Sequence, residues 1–201
     1  MHEVSGLSRR GLVFSAAGLG LAALARPAMA ATDYGATPLA VAKDALSRVG
    51  YRIAHHDVAA VADFSPASRE ARLHLVDMAS GETQSLLVAH GRGSDPSHTG
   101  WLTRFSNVPG SDCTSEGAYR TGDYYIGEHG RSMRLQGLDY SNDNAEARGI
   151  VVHSAWYVGA DMIRTHGMLG RSEGCFAVSQ SDLSRVLDRL GPGRLLVATK
   201  L

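Results

Sequence analysis

Apolar positions change their spacing along the chain, and each spacing predicts a different element. After Thr37 and Pro38, apolar residues recur every three or four positions as far as Val49, which is the period of one buried helix face. Thr37 suits the cap, Pro38 suits the first helical position, and Gly50 suits a left-handed exit. The pattern therefore predicts a helix over residues 38–49.

From Val58 onward the spacing between apolar positions shortens. Short runs of Val, Leu and Ala, bounded by turn residues, are typical of strands. They predict strands at residues 58–64, 71–78 and 84–90, and further strands are predicted at residues 131–135, 149–153 and 195–199. Residues 91–115 are rich in Gly, Ser, Pro and Asp and predict a long surface loop. Residues 179–181 open a second helix that runs to about Leu190. The order predicts one mainly β domain, a β-rich α+β fold with a few peripheral helices.

The first thirty residues have the pattern of an export signal. Arg9-Arg10 precede a mild apolar run of about fifteen residues, and Ala28–Ala30 forms an A-x-A cleavage site. The run is shorter than the roughly 20 apolar residues that a membrane-spanning helix needs. The paired arginines resemble the twin-arginine signal, although Leu12 stands where that motif usually has Phe. We therefore expect residues 1–30 to be a signal peptide and residues 31–201 to form the working domain.

Composition indicates a small globular protein whose chemistry lies in a local site. The 201 residues include 44% hydrophobic residues, 20 basic and 20 acidic residues. Without residues 1–30 the chain has 17 basic and 19 acidic residues, a balance that excludes electrostatic capture of nucleic acid. Two cysteines are too few for a zinc ribbon or a disulfide-rich scaffold. We expect no metal or organic cofactor, no transmembrane segment in the mature chain, and a monomer.

Residues 150–178 contain the candidate catalytic groups. His153 ends a buried apolar strand, and Cys175 follows Gly174 in a polar loop 22 residues later. A thiolate is a strong nucleophile and a thiol a poor one, so a catalytic cysteine needs an adjacent base, and His153 is placed to be that base. Gly174 allows a sharp turn that brings the backbone N–H groups of residues 173–175 near the sulfur, where they suit an oxyanion.

These residues resemble a murein L,D-transpeptidase catalytic domain of the YkuD type, in the second branch of that family. The markers, within about residues 37–200, are Val88–Ser94, Gly117–Gly122, Leu135–Leu138 and Gly170–Cys175. The resemblance implies a β-sandwich or barrel in which Cys175 is the nucleophile and His153 its base, oriented by the carbonyl of Ser154. It also implies peptidoglycan stem peptides as partner and a periplasmic or other exported location at the cell envelope.

The chain departs from the family pattern around this dyad. Glu173 stands where the common loop has His, Ala177 stands where many members have Arg or Asn, and Ser154 replaces the usual glycine. Substrate contacts therefore do not transfer directly from the family to this chain.

Candidate substrate-binding residues come from the surroundings of the loop: Arg171, Ser172, Arg148, His166 and Tyr125. A guanidinium such as that of Arg171 or Arg148 suits a substrate carboxylate. A phenol hydroxyl is also a candidate to assist the oxyanion hole, from Tyr124, Tyr125 or Tyr140.

Three other kinds of functional site fit the sequence less well: a serine-hydrolase site, a zinc site and a peptidoglycan-binding surface. Gly170–Gly174 has the G-x-S-x-G form of a serine-hydrolase elbow, but no His follows Ser172 to complete a triad. No H-E-x-x-H zinc motif occurs, and His55 and His56 are adjacent rather than on one helical face. An aromatic content of 6% argues against a non-catalytic peptidoglycan-binding module.

The sequence predicts an exported cysteine acyltransferase that acts on stem peptides through a thioester, and it leaves the acyl acceptor open. With water as acceptor, the same Cys-His site is an L,D-carboxypeptidase or amide hydrolase. The alternatives to catalysis are purely structural. In them, Cys175 is only a small residue packed in the interior, and His153 is only a core histidine whose hydrogen bonds are satisfied. Cys113 has no histidine context and is expected to be incidental, although a Cys113–Cys175 disulfide in an oxidising space would abolish activity.

Overall fold

The computed structural model describes residues 37–201 together with Met1. The predicted signal peptide and its twin-arginine motif therefore lie outside the described residues, apart from Met1. Within the described part, no helix is both long enough and apolar enough to cross a membrane.

The described chain is mainly β, as predicted. Its helices are α1 (Pro38–Val49), α2 (Ala160–His166) and α3 (Leu183–Leu190), with short 3₁₀ turns at Gly50–Arg52 and Arg92–Ser94. Its strands are β1 (Val58–Asp63), β2 (Leu73–Asp77), β3 (Thr83–Leu86), β4 (Gly117–Gly127), β5 (Gly130–Gly137), β6 (Val151–Ser154), β7 (Phe176–Val178) and β8 (Leu195–Thr199).

The eight strands form one mixed sheet in the order β3-β2-β1-β8-β4-β5-β6-β7. The pairs β1–β8 and β6–β7 are parallel, and the other neighbours are antiparallel. Ala89, just beyond β3, forms an antiparallel bridge with Ala177 in β7. This bridge joins the segment that follows β3 to β7, the strand at the other end of the order.

The sheet buries a different cluster on each face. Ala59 and Val61 of β1 pack with α1, whereas Ala60 and Ala62 belong to the larger core that also contains α3. Because β1 is buried on both faces, its sequence is apolar without alternation.

The N-terminal end of α1 follows its sequence signals and its C-terminal end does not. Ala40 N–H donates to Thr37 Oγ1 at 3.2 Å, and Pro38 occupies the first turn. Gly50 has right-handed helical angles (φ −58°, ψ −28°), so the predicted left-handed exit is wrong. The reason is that Gly50 still donates to Leu46 and continues into the 3₁₀ turn.

Two other predicted boundaries also shift. The strand predicted over residues 84–90 ends at Leu86, because the chain then leaves β2 and crosses to β7 through Ala89. The helix predicted from Ser179 begins at Leu183, since Ser179–Ser181 form a turn in which the Ser179 hydroxyl accepts the N–H of Asp182 at 3.1 Å.

A bidentate ion pair ties the segment before β1 to the segment before β8, and it predicts a pH-dependent stability. Arg194 Nε and Nη2 each donate to a carboxylate oxygen of Asp57 at 2.8 Å, and these bonds lower the pKa of Asp57 to about 2. The carboxylate is largely exposed, so we expect Asp57→Asn to reduce the free energy of unfolding at pH 7 by only about 1 kcal/mol. The difference should shrink as the pH falls from about 4 through about 2, because the stabilisation belongs to the ionised form.

Urea unfolding curves at several pH values measure this difference. Asp44→Asn is the matched control, since Asp44 pairs with Arg48 on the exposed surface of a single helix and should matter less. An equal deficit for Asp57→Asn at pH 7 and pH 2 would contradict the assignment.

Candidate active site

The pairing of β6 with β7 places the two predicted catalytic residues on one face of the sheet. Val152 is opposite Phe176, and His153 is opposite Ala177. Val152 and Phe176 point into the main core. Because side chains alternate along a strand, His153 and the residue before Phe176, Cys175, point to the other face.

A cavity of about 470 Å³ opens on that face, and both His153 and Cys175 line it. Its charged lining residues are Arg92, Arg148, Arg171, Glu128 and Glu173. Its other ring-bearing lining residues are Tyr125, His129 and Tyr157. The cavity is therefore strongly polar, with charges of both signs around the sulfur and the imidazole.

His153 is held as a neutral imidazole. Its side chain is buried (2% exposed), and its Nδ1 lies 2.9 Å from the carbonyl oxygen of Ser154. A carbonyl only accepts, so Nδ1 carries the proton and the Nε2 lone pair is left to receive one. Burial lowers the pKa of His153, the bond to Ser154 raises it, and the neighbouring His129 lowers it further.

Cys175 is a protonated thiol in this geometry. Its Sγ donates to the carbonyl of Gly149 at 3.6 Å. Burial raises the pKa of the thiol, and Glu173 adds to this, while the backbone of Val151 and the charge of Arg148 act in the opposite direction. A thiol of this kind needs a base to become a nucleophile. Transfer of its proton to His153 requires it to leave the Gly149 carbonyl.

Ser172 fastens the loop that carries Cys175. Its hydroxyl donates to the carbonyl of Cys175 at 2.7 Å and accepts from Gly174 N–H at 3.2 Å. Its backbone N–H donates to His90 O at 2.9 Å, and its carbonyl accepts from Arg92 N–H at 2.7 Å. Ser172 lines the cavity, but its hydroxyl is used within the loop.

Two glycines allow the loop to pack this closely. Gly174 has φ +114°, and a Cβ there would lie 2.6 Å from the carbonyl oxygen of Cys113. A Cβ on Gly91 would lie 2.2 Å from Asp112 O and 2.8 Å from the backbone of Gly174. A side chain at either of these two positions would push the loop that carries Cys175 away from residues 112–113.

The two candidate arginines are used differently. Arg148 donates from its two terminal nitrogens to four protein oxygens, which are Ser106 O, Ser115 Oγ, Ser111 Oγ and Cys113 O. Arg171 donates through Nη1 to the carbonyls of Asp95 and Pro96. Among residues 37–201, Nε and Nη2 of Arg171 have no hydrogen-bond partner, whereas both terminal nitrogens of Arg148 are occupied, so Arg171 has more donors to spare than Arg148.

The remaining predicted residues are placed in different surroundings. Tyr125 lines the cavity, with the guanidinium of Arg134 4.4 Å from its ring centre. Tyr124 donates its hydroxyl to Leu187 O, and Tyr140 is exposed in a separate depression. His166 is exposed at the end of α2, outside the residues that line the active-site cavity.

The sequence interpretation missed several cavity residues, among them Tyr157, His129, Arg92 and Glu128. Tyr157 lies only four positions beyond His153, and its proximity in the chain was the available signal. His129 comes from the turn between β4 and β5, and its ring stacks on that of His153. Nothing in the local sequence links it to the site, because β4 itself was not predicted.

Both cysteines are free, with Cys113 buried and Cys175 half-buried, so the alternative of a Cys113–Cys175 disulfide is wrong for this structure.

Glu173, which departs from the family pattern, pairs with Arg92 at 3.1 Å, and Arg92 also bonds Asp112 at 2.9 Å. Over the described residues, no group of three or more His, Cys, Asp or Glu side chains is arranged to hold a metal ion.

Comparison with known families gives a match to the L,D-transpeptidase catalytic domain over residues 36–198. Among proteins of curated function, none matches this chain in sequence.

Similar solved structures include L,D-transpeptidases of mycobacteria. One from Mycobacterium smegmatis is 15% identical with a TM-score of 0.42, and one from Mycobacterium tuberculosis H37Rv is 15% identical with a TM-score of 0.45. L,D-transpeptidase 3 from Mycobacterium tuberculosis, in complex with a faropenem-derived adduct, is 14% identical with a TM-score of 0.46. The matches cover 71%, 71% and 72% of this chain, which spans only 58%, 57% and 60% of the respective structures.

Proposed function

Because the chain belongs to the L,D-transpeptidase catalytic domain family, we propose that it is an exported cysteine acyltransferase acting on peptidoglycan stem peptides. The observation that carries the proposal is the shared cavity of Cys175 and His153. His153 presents an unprotonated Nε2 there, because its Nδ1 is committed to the Ser154 carbonyl.

The proposed acylation begins with two neutral groups. His153 Nε2 takes the proton of Cys175 as the sulfur attacks the amide carbonyl between a diaminopimelate-type residue and the terminal D-amino acid. The C–N bond then breaks, and the proton on His153 passes to the nitrogen of the departing D-amino acid. The stem peptide remains on Cys175 as a thioester.

An amine of a second stem peptide resolves the thioester. It attacks the carbonyl and gives a proton to His153, the C–S bond breaks, and the proton returns to the sulfur. Backbone N–H groups of residues 173–175 are the proposed oxyanion donors, with that of Gly174 shared with the Ser172 hydroxyl in the resting loop. The hydroxyl of Tyr125 is the tyrosine candidate, because Tyr124 is bonded to Leu187 and Tyr140 faces another depression.

Substrate binding is assigned chiefly to Arg171. Its spare donors at the cavity suit the carboxylate of a stem peptide. Arg148 is proposed to act through its charge near the sulfur, since four protein oxygens already occupy its terminal nitrogens. Ser172 is proposed to hold the loop, and the exposed position of His166 gives it no part in this cavity.

Export is part of the proposal and depends on residues 1–30. Their positive start, apolar run and A-x-A end would deliver residues 31–201 to the cell envelope, where the substrate lies. The alternative acceptor, water, would make the same site an L,D-carboxypeptidase or amide hydrolase.

The decisive experiment incubates the protein with purified tetrapeptide muropeptides and identifies the products by mass spectrometry. Crosslinked dimers support transfer, and trimmed monomers support hydrolysis. Binding to sacculi without either product would contradict the enzyme and favour a peptidoglycan-binding module.

A further inference from the structure

His129 occupies a turn that places it directly over the proposed base. Gly127 pairs with Gly130 at the tip of the β4–β5 hairpin, so Glu128 and His129 are the two turn residues. The centre of the His129 ring lies 4.2 Å from that of His153, and the two planes differ by 22°. The contact is a stacked pair of imidazoles at the rim of the cavity.

The stack leaves the Nε2 edge of the His153 ring available for a contact in the cavity. Nδ1 is bonded to Ser154 O, and His129 covers one face of the ring. His153 is only 2% exposed although it lines an open cavity, whereas His129 is an exposed residue. The Nε2 edge is therefore the polar part of His153 that can meet a thiol.

We infer that His129 is a positioning residue: it covers His153, fixes the plane of that ring and favours the neutral form that accepts the Cys175 proton. The inference rests on the proposed role of His153 as base. It gives the β4–β5 hairpin, which holds none of the predicted dyad, a part in the reaction.

Electrostatics supports this role. Burial lowers the pKa of His153, the Ser154 carbonyl raises it, and His129 lowers it further. A positive charge on His129 would repel a second positive charge on the ring stacked beneath it, so it opposes protonation of His153.

Further charged and titratable groups line the cavity. The cations Arg92, Arg148 and Arg171 are each bonded to protein oxygens. The anions are Glu128 beside His129 in the turn and Glu173 next to the thiol of Cys175. The phenols of Tyr125 and Tyr157 complete the titratable lining. None of these groups stacks on His153.

The test compares His129→Ala with His129→Phe by following the imidazole signals of His153 in NMR spectra as a function of pH. A His153→Gln variant identifies those signals. We expect His129→Ala to move the titration midpoint of His153 to higher pH, because it removes both the cover and the neighbouring ring. His129→Phe should move it less, because the cover remains. His166→Ala removes an exposed histidine that lies outside the cavity. It is the control and should leave the midpoint close to that of the unmodified protein.

Turnover of tetrapeptide muropeptides gives a second measurement. His129→Ala should lower kcat at pH 6 by about threefold to tenfold with little change in KM, and it should move the acidic limb of the pH profile to higher pH. His129→Phe should show a smaller loss of kcat than His129→Ala. An unmoved His153 midpoint in His129→Ala overturns the inference, and so does a moved midpoint with an unchanged pH profile of turnover. The NMR titration needs no substrate, so failure of the muropeptide assay in every form of the protein would contradict the proposed function separately.

Discussion

Replacing Cys175 with alanine is expected to abolish both crosslinked and trimmed muropeptide products, with a fall in rate of about 10⁴-fold or more. The cavity offers one sulfur, and the proposed pathway forms a covalent bond to it before any acceptor reacts. Without that atom, His153 has no nucleophile to activate. The measurements are product identification by mass spectrometry and the intact mass of the protein, which should gain the acyl group only when Cys175 is present.

Cys113→Ala is the matched control for this substitution. Cys113 is a fully buried free cysteine, and it contributes its carbonyl rather than its sulfur to the bonds around the catalytic loop. The variant should keep most of the activity. Products that persist in Cys175→Ala and disappear on addition of a chelator would instead indicate a metal-dependent reaction.

The parts of the fold that could be predicted are those in which the local sequence and the tertiary environment agree. α1 begins where Thr37 and Pro38 place it, and β8 matches its predicted apolar run over residues 195–199. The mainly β class follows from such segments, and the match to the L,D-transpeptidase catalytic domain confirms the resemblance drawn from the motifs.

β4 was missed because its sequence interrupts the alternation that marks a strand. Gly122 and Asp123 fall at a register shift between Thr121 and Tyr124, where a bulge breaks the pairing with β5. The predicted strand over residues 131–135 is the second half of this hairpin and extends to Gly130–Gly137. Because β4 was not predicted, the turn that joins it to β5 was not predicted either. His129 lies in that turn and therefore could not be included in a sequence-based prediction of the site.

β7 and α2 were missed for a different reason, which is length. β7 has three residues and α2 has seven, both shorter than the windows in which periodicity is informative. Long-range pairing establishes β7, since Phe176 and Val178 pair with β6 and Ala177 also bridges to Ala89. Motif spacing could therefore nominate His153 and Cys175, but only the pairing of β6 with β7 shows that they share one face.

A buried arginine that the sequence does not single out supports the other side of the catalytic loop. Arg72 is fully buried and donates to Val88 O at 3.1 Å, to Pro66 O at 3.0 Å and to His90 Nδ1 at 2.7 Å. Burial and the charge of Arg72 lower the pKa of His90 to about 3, so His90 is a neutral acceptor. The carbonyl of this same histidine accepts the N–H of Ser172.

Arg72→Met is therefore expected to reduce the free energy of unfolding by about 3–5 kcal/mol, out of the roughly 5–15 kcal/mol typical of a domain. Methionine fills much of the same volume but donates to none of the three acceptors, of which Val88 O and His90 Nδ1 lose a buried hydrogen bond. Urea unfolding measures the loss. Arg69→Met is the matched control, because Arg69 pairs with Glu70 on the exposed surface and should change stability by less than about 0.5 kcal/mol.

A lysine at the same position separates charge from geometry. Arg72→Lys keeps the positive charge, but one ammonium cannot reach acceptors that the guanidinium meets through three different nitrogens. We expect a stability between those of the unmodified protein and Arg72→Met, together with lower muropeptide turnover, because a displaced His90 no longer holds Ser172 and the loop of Cys175. If Arg72→Met were as stable as Arg69→Met, the three hydrogen bonds would contribute nothing net, and the catalytic loop would have to be held by Ser172 and the two close-packed glycines alone.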